Sequence, residues 1–126
     1  MGKVMVVDDS EVVRIKVSNI LTEAGYEVLE AGDGPEGIRI ANENPDIQVV
    51  ISDYNMPEMN GLTMIEKIQE NPEHKNTFFA VLTTESSQTL KVKGKALGVK
   101  LWIVKPVDKN SLIKVTAKIF EKLQAA

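Results

Sequence analysis

Three acidic residues follow apolar runs at two separate points of the chain. Asp8 and Asp9 come directly after the run at 4–7, and Asp53 ends the apolar stretch 48–53. Each acid alone is well explained as a helix cap or a turn former. Three carboxylates brought together would repel one another, and a hard cation such as Mg²⁺ relieves that repulsion. Their joint placement therefore predicts a divalent metal site.

A hydroxyl and an ammonium group occur at equivalent points further along the chain. Thr83 ends the apolar run 78–83, and Lys105 follows the run 101–104 immediately before Pro106. Alone, Thr83 is simply a strand residue and Lys105 a solvated lysine. A metal site, a cation, a hydroxyl donor and an attacking carboxylate together suit phosphoryl transfer.

Five short runs rich in β-branched residues predict the strands that position these groups, at 3–7, 26–30, 48–53, 78–83 and 101–104. Helical patterns alternate with them, which predicts a parallel sheet with right-handed crossovers and the strand order 2-1-3-4-5. The first, third and fifth runs are nearly continuous apolar segments, as expected of strands covered on both faces. In such a sheet, sites form beyond the carboxyl ends of the strands.

The fourth predicted helix, at about 88–97, has the weakest pattern. It has few apolar positions, contains Gly94, and carries three lysines, Lys91, Lys93 and Lys95. We expect it to be the most mobile helix, because little apolar burial holds it in place.

Composition predicts one globular domain spanning 1–126. The chain has 126 residues, of which 43% are hydrophobic and 26% charged, and no cysteine, which rules out disulfides and thiolate metal sites. No run approaches the roughly 20 apolar residues of a membrane span, so we expect a cytoplasmic protein. The net charge is −3. Acids predominate before residue 91 and lysines after it, which suggests an acidic functional end and a basic surface elsewhere.

Five motifs in order resemble the receiver domain of bacterial response regulators, and most closely its single-domain chemotaxis members. They are VVDDS at 6–10, DYNMP at 53–57 with MNG at 59–61, LTTES at 82–86, Gly98, and WIVKP at 102–106. The resemblance covers essentially the whole chain. It implies a flavodoxin-like (βα)5 three-layer sandwich and a signalling protein that catalyses only its own phosphorylation and dephosphorylation.

The resemblance also implies a metal site and a phosphoacceptor. Asp53 would accept the phosphoryl group. Asp9 would bind Mg²⁺ directly, Asp8 mainly through water and Asn55 through its backbone carbonyl, with Mn²⁺ or Ca²⁺ as substitutes. Asn55 and Glu85 would tune the phosphate lifetime.

The switch residues follow from the same resemblance. Lys105 would pair with the phosphoryl oxygens, and Thr83 would be the hydroxyl that moves toward them. Trp102 would be the switch aromatic that turns inward as Thr83 shifts. The Lys105–Pro106 bond is cis in that family.

Partners are implied as well. A sensor histidine kinase would donate the phosphoryl group. The face formed by the fourth helix, fifth strand and fifth helix would bind an output partner, through Lys91, Lys95, Lys100 and Trp102. An acidic peptide or protein, such as a flagellar motor switch component, suits this basic face. A phosphatase is a further implied partner, and neither DNA binding nor membrane insertion is expected.

Other functions fit the residues less well. A phosphatase of the haloacid dehalogenase type needs acids two residues apart, but Ser10 stands two beyond Asp8. A flavin-binding module would place a Ser/Thr/Gly phosphate loop where the two acids stand. A degenerate receiver that only binds partners would be expected to lack one of the acids, Thr83 or Lys105, and none of these is missing. A stand-alone phosphorelay or phosphate sink outside chemotaxis stays open.

One remaining titratable residue is interpreted without a chemical role. His74 is the only histidine and lies in the polar stretch 71–76. We expect it to be exposed on a surface loop.

Overall fold

The computed structural model describes residues 2–125, in which five strands alternate with five α-helices. The strands are β1 (Lys3–Val7), β2 (Glu27–Ala31), β3 (Val49–Ser52), β4 (Phe78–Thr83) and β5 (Val99–Val104). The helices are α1 (Glu11–Glu23), α2 (Gly34–Glu43), α3 (Gly61–Gln69), α4 (Gln88–Ala96) and α5 (Lys109–Ala125). The sheet is parallel with order β2-β1-β3-β4-β5. The predicted flavodoxin-like fold is confirmed.

The sheet separates two apolar layers because successive side chains of a strand point to opposite faces. In β1, Val4 and Val6 belong to a buried cluster shared with α1 and α5. Met5 and Val7 belong to the other cluster, which is shared with α2 and α3. This alternation makes the three-layer sandwich.

All five strand-to-helix loops end in a polar side chain that caps the next helix. Ser10, Asp33, Asn60, Ser87 and Asp108 each accept a hydrogen bond from the backbone N–H three residues later. Such caps satisfy donors that the first helical turn leaves unpaired. They fix where each helix begins, and so how the preceding loop crosses the carboxyl edge of the sheet.

Strand bounds differ slightly from those predicted, and one interpretation was wrong. β5 begins at Val99 rather than at 101, and it is not covered on both faces. Its central residues Leu101, Trp102 and Ile103 are half-buried, and the side chain of Lys100 is exposed. β5 is an edge strand, so its apolar residues are only partly covered and lie at a surface flanked by α4 and α5.

The interpretation of His74 as an exposed loop residue was also wrong. His74 is 1% exposed and lies in a short 3₁₀ turn, Pro72–His74. Its Nε2 lies 2.6 Å from the carbonyl oxygen of Ala41, and its Nδ1 lies 2.9 Å from Thr77 Oγ1. Because a carbonyl oxygen only accepts, Nε2 carries a proton and donates it to Ala41. His74 therefore joins α2 to the segment before β4.

Helix α4 is the least buried helix, as its sequence indicates. Gly94 is its one buried residue within the described range. A Cβ on Gly94 would lie 3.2 Å from Trp102 Cζ3, so the glycine lets the indole pack closely against the helix. No helix among residues 2–125 is both long and apolar enough to cross a membrane.

Candidate functional site

The backbone hydrogen bonds of the sheet continue past the strand ends into the loops that carry the predicted site. Asp8 N donates to Ala31 O at 3.2 Å, and Asp53 N donates to Val7 O at 2.9 Å. At the other end of this edge, Lys105 N donates to the carbonyl oxygen of Thr83 at 2.8 Å. These bonds hold the main chain of the candidate residues on the rigid sheet, which pre-organises their side chains.

The three predicted acids lie together at this edge. Asp8, Asp9 and Asp53 each place a carboxylate oxygen within 4.8 Å of the others. The side chains of Asp8 and Asp53 are only 7% and 12% exposed, whereas Asp9 is exposed to solvent. Clustered carboxylate oxygens with one open side are the donor set that Mg²⁺ prefers, so these residues fit a divalent cation.

Lys105 reaches into the same cluster from β5. Its Nζ donates to Asp8 Oδ2 and to Asp53 Oδ2, both at 2.9 Å. Burial disfavours the charged form, but the hydrogen bonds that Lys105 donates to Asp53 and Asp8 outweigh this effect and raise the pKa of Lys105 above its ordinary value. The Lys105–Pro106 peptide is cis, as the resemblance implies.

The main chain and remaining oxygen of Asp53 are also held in place. Ser52 Oγ donates to Asp53 O at 2.8 Å, and Asn55 N donates to Asp53 Oδ1 at 3.2 Å. A Cβ on Gly61 would overlap the backbone oxygen of Asp53 at 2.1 Å. Only glycine therefore fits at the start of α3 with Asp53 in this position.

Sequence reasoning assigned no role to Ser52 or Gly61. A signal for the glycine was present, because it occupies the first helical position after the cap residue Asn60, where glycine weakens a helix. Ser52 offered no comparable signal, since a serine in a strand is unremarkable.

A chain of hydrogen bonds joins Thr83 to Trp102. Thr83 is fully buried, and its Oγ1 accepts a 3.3 Å hydrogen bond from Glu85 N. The indole Nε1 of Trp102 donates to Glu85 O at 2.8 Å. The half-buried ring also lies near Tyr54, with ring centroids 6.3 Å apart. Displacing the Thr83 hydroxyl would thus alter the loop segment that holds Trp102.

The four residues predicted for a partner face lie around one cleft. Lys91 and Lys95 of α4 and Lys100 and Trp102 of β5 line a depression of about 460 Å³. The structure thus brings these residues together, with an apolar floor between lysines.

Comparison with known proteins decides the family. The family model for the response regulator receiver domain matches residues 4–117. This chain belongs to that family. A probable chemotaxis protein CheY from Rhizobium etli is 32% identical over 97% of this chain and 95% of its own. Receiver domains of this kind are signalling proteins of two-component systems, not classical enzymes.

Solved receiver structures agree with this fold. Chemotaxis protein CheY4 of Vibrio cholerae, crystallised at low pH, superposes with a TM-score of 0.90 at 40% identity, covering 94% of this chain and 98% of that one. CheY of Borrelia burgdorferi, solved as a CheX–CheY–BeF₃–Mg²⁺ complex, has a TM-score of 0.86 at 28% identity, covering 94% and 89%.

Proposed function

We propose that this receiver accepts a phosphoryl group on Asp53 from a sensor histidine kinase of the chemotaxis (CheA-like) type, with Mg²⁺ bound beside it. The observation that carries the proposal is the double hydrogen bond of Lys105 to Asp8 and Asp53 within the acidic cluster. A cation already at the carboxylate offsets negative charge where a phosphoryl group would arrive. Mn²⁺ or Ca²⁺ would substitute for Mg²⁺ in binding.

The chemistry is a displacement at phosphorus. A carboxylate oxygen of Asp53 forms the new O–P bond while the donor's bond to phosphorus breaks, and the electron pair leaves with the donor. Asp9, Asp53 and the Asn55 carbonyl would hold Mg²⁺ directly and Asp8 mainly through water, and the ion would supply positive charge for the phosphoryl oxygens. Lys105 stays protonated and pairs with the same group, because its raised pKa keeps the ammonium form at neutral pH.

The signal is a rearrangement of the loop after β4. A phosphoryl group adds charge and acceptor oxygens. When the Thr83 hydroxyl turns toward them, it gives up the hydrogen bond from Glu85 N. Glu85 then moves, and because its carbonyl oxygen accepts the hydrogen bond from the indole N–H, Trp102 moves with it. The weakly buried helix α4 responds next, and the face of α4, β5 and α5 changes shape.

Two polar residues set how long the phosphoryl group lasts. Asn55 is exposed and lies two residues beyond Asp53, and the half-buried Glu85 stands two beyond Thr83. Because they follow the phosphoacceptor and the switch hydroxyl so closely, both would order a hydrolytic water near the phosphoryl group. A short-lived acyl phosphate follows.

The output is binding of an acidic partner at the lysine-lined cleft of α4 and β5. Its lysines attract acidic side chains, and its apolar floor accepts an apolar anchor. The chemotaxis names of the relatives favour a flagellar motor switch component as this partner. A phosphatase that binds the phosphorylated form would end the signal.

Incubation with Mg²⁺ and acetyl phosphate tests the proposal. Intact-mass analysis is expected to show one labile phosphoryl group on the wild type and none on Asp53→Asn. Asp46→Asn is the matched control, because Asp46 is an exposed acid paired with Lys3 away from the cluster. An unmodified wild type, or an Asp53→Asn variant that is still modified, would overturn the proposal.

A further inference from the structure

Arg14 of α1 contacts the loop that carries the acidic pair, and none of the roles above uses it. Its Nη1 donates to the backbone oxygen of Asp8 at 2.9 Å, and its Nε donates to Glu30 Oε1 at 3.1 Å. Glu30 belongs to β2, so one guanidinium joins α1, β2 and the loop between β1 and α1.

The oxygen held by Arg14 belongs to the peptide unit that joins Asp8 to Asp9. A peptide unit is planar, so fixing its carbonyl also fixes the nitrogen of Asp9 and the direction in which that residue leaves the loop. Asp9 is exposed, and its carboxylate forms no hydrogen bond within residues 2–125. The direction in which this carboxylate points therefore depends on the conformation of the main chain at Asp9.

The other hydrogen bonds of Asp8 do not involve the oxygen of this peptide. Asp8 N bonds to Ala31 O, Asp8 Oδ1 accepts from Ser10 N, and Asp8 Oδ2 accepts from Lys105. The bond from Ser10 N spans the Asp8–Asp9 peptide and limits its rotation, but it does not reach the carbonyl oxygen. Among residues 2–125, Arg14 makes the one hydrogen bond to the carbonyl oxygen between the two acids.

We propose that Arg14 is a positioning residue for the cation site: it orients the Asp8–Asp9 peptide and so aims the Asp9 carboxylate at the metal. This inference rests on the proposed function, in which Asp9 is a metal ligand. Arg14 itself touches neither the cation nor the phosphoryl group.

The geometry requires a guanidinium. Arginine presents several donors in a planar fork, whereas lysine has one nitrogen on a flexible stem. Arg14 donates from Nε to Glu30 and from Nη1 to Asp8 at the same time. The backbone at Gly32 also lies close to the guanidinium, since a Cβ added there would be 3.4 Å from Nη1. The side chains of Arg14 and Glu30 are 19% and 39% exposed, so their ion pair adds little stability.

Direct cation binding, without a phosphodonor, is the test. Mn²⁺ titrations followed by electron paramagnetic resonance give the dissociation constant for each full-length variant. We expect Arg14→Gln to bind Mn²⁺ about tenfold more weakly, as when other partners that orient metal ligands are removed. Arg39→Gln is the matched control, because Arg39 forms a similar 3.1 Å ion pair, with Glu43, that does not involve the acidic loop.

Two further variants separate the contacts of Arg14. Arg14→Lys keeps the charge but loses the fork, and it is expected to bind Mn²⁺ nearly as weakly as Arg14→Gln. Glu30→Gln leaves the hydrogen bond to Asp8 in place, and it is expected to bind like the wild type. A Glu30→Gln variant as weak as Arg14→Gln would overturn the inference, because the ion pair would then be the cause.

A second readout separates positioning from a general structural role. In Arg14→Gln, the Mg²⁺ concentration that gives half the maximal phosphorylation rate is expected to rise, while the rate at saturating Mg²⁺ stays that of the wild type. A rate that stays low at saturation would overturn the positioning role. If the wild type binds no Mn²⁺, the proposed function itself fails; if wild type and Arg14→Gln bind it equally, only this inference fails.

Discussion

The indole N–H of Trp102 donates a 2.8 Å hydrogen bond to the backbone carbonyl of Glu85. The amide of that same residue donates to Thr83 Oγ1. One residue of the loop after β4 thus connects a buried hydroxyl at the candidate phosphoryl site with a half-buried ring on the surface. The predicted switch has a specific physical connection, and it can be broken at either end.

Thr83→Ala is expected to uncouple phosphorylation from the signal. Asp53 still becomes phosphorylated, but the change in Trp102 fluorescence is lost. Without the Thr83 hydroxyl, no group at this position can leave its hydrogen bond with Glu85 N and bond to the phosphoryl group instead. Trp102 is the only tryptophan, so the emission reports this residue alone. Thr84→Ala is the control, since Thr84 is exposed and adjacent. A full fluorescence response in Thr83→Ala would contradict the coupling.

Removing the Lys105 ammonium is expected to weaken the protein in the absence of metal. Lys105→Met leaves two carboxylates with little solvent and no cation, at a cost of about 2 kcal/mol of unfolding free energy at neutral pH. Saturating Mg²⁺ is expected to reduce this cost. Denaturant unfolding with and without Mg²⁺ measures both values, with the exposed Lys109→Met as control.

The same pair of proteins gives a pH dependence. The folded-state pKa of Lys105 is raised above the ordinary 10.5, so its contribution to stability is complete below that pH and is lost as pH rises through the folded pKa. The difference in unfolding free energy between wild type and Lys105→Met is therefore expected to stay constant from pH 7 to 9 and to shrink above about 10.5. A difference that grows with alkaline pH would have the wrong sign.

Gly61→Ala is expected to destabilise the protein by more than about 3 kcal/mol, because the added methyl group would overlap backbone rather than a movable side chain. Gly32→Ala is the comparison, since the atom nearest to its added methyl is 3.4 Å away on a flexible arginine. Thermal or denaturant unfolding measures both. Equal stability of the two variants would mean that the α3 start does not constrain Asp53.

His74→Ala is expected to cost about 3 kcal/mol, because it removes buried volume and the hydrogen bond to Ala41 O, whereas Thr77 Oγ1 keeps its bond to Ile47 O. Its exposed neighbour offers the control: Lys75→Ala is expected to change unfolding by less than about 0.5 kcal/mol. Acetyl phosphate is expected to modify both variants at Asp53, since His74 serves structure rather than chemistry.

Much of the fold was predictable because its signals are local. The strand and helix patterns lie within short windows, and parallel topology then forces the carboxyl ends of the strands to one edge. That rule alone is enough to bring Asp8, Asp53, Thr83 and Lys105 together, before any resemblance is considered.

What the sequence did not predict depends on contacts between distant segments. The sequence around His74 is typical of a loop and does not reveal that its ring nitrogen Nε2 bonds to the carbonyl oxygen of Ala41. Gly94 looks like a flaw in α4 until Trp102 packs against it, and the apolar run of β5 does not reveal that the strand lies at the edge. The role of Arg14 could not be predicted, because its hydrogen bond to the Asp8 carbonyl depends on how α1 is placed relative to the preceding loop.

Chemical identification of the phosphorylated residue is the most direct test of Asp53 as the phosphoacceptor. After incubation with Mg²⁺ and acetyl phosphate, reduction with borohydride converts an aspartyl phosphate into homoserine, and peptide mass spectrometry locates the change. We expect homoserine at position 53 and at no other acid. Homoserine at Asp8 or Asp9, or its absence from a protein shown to be folded and bound to Mg²⁺, would contradict it.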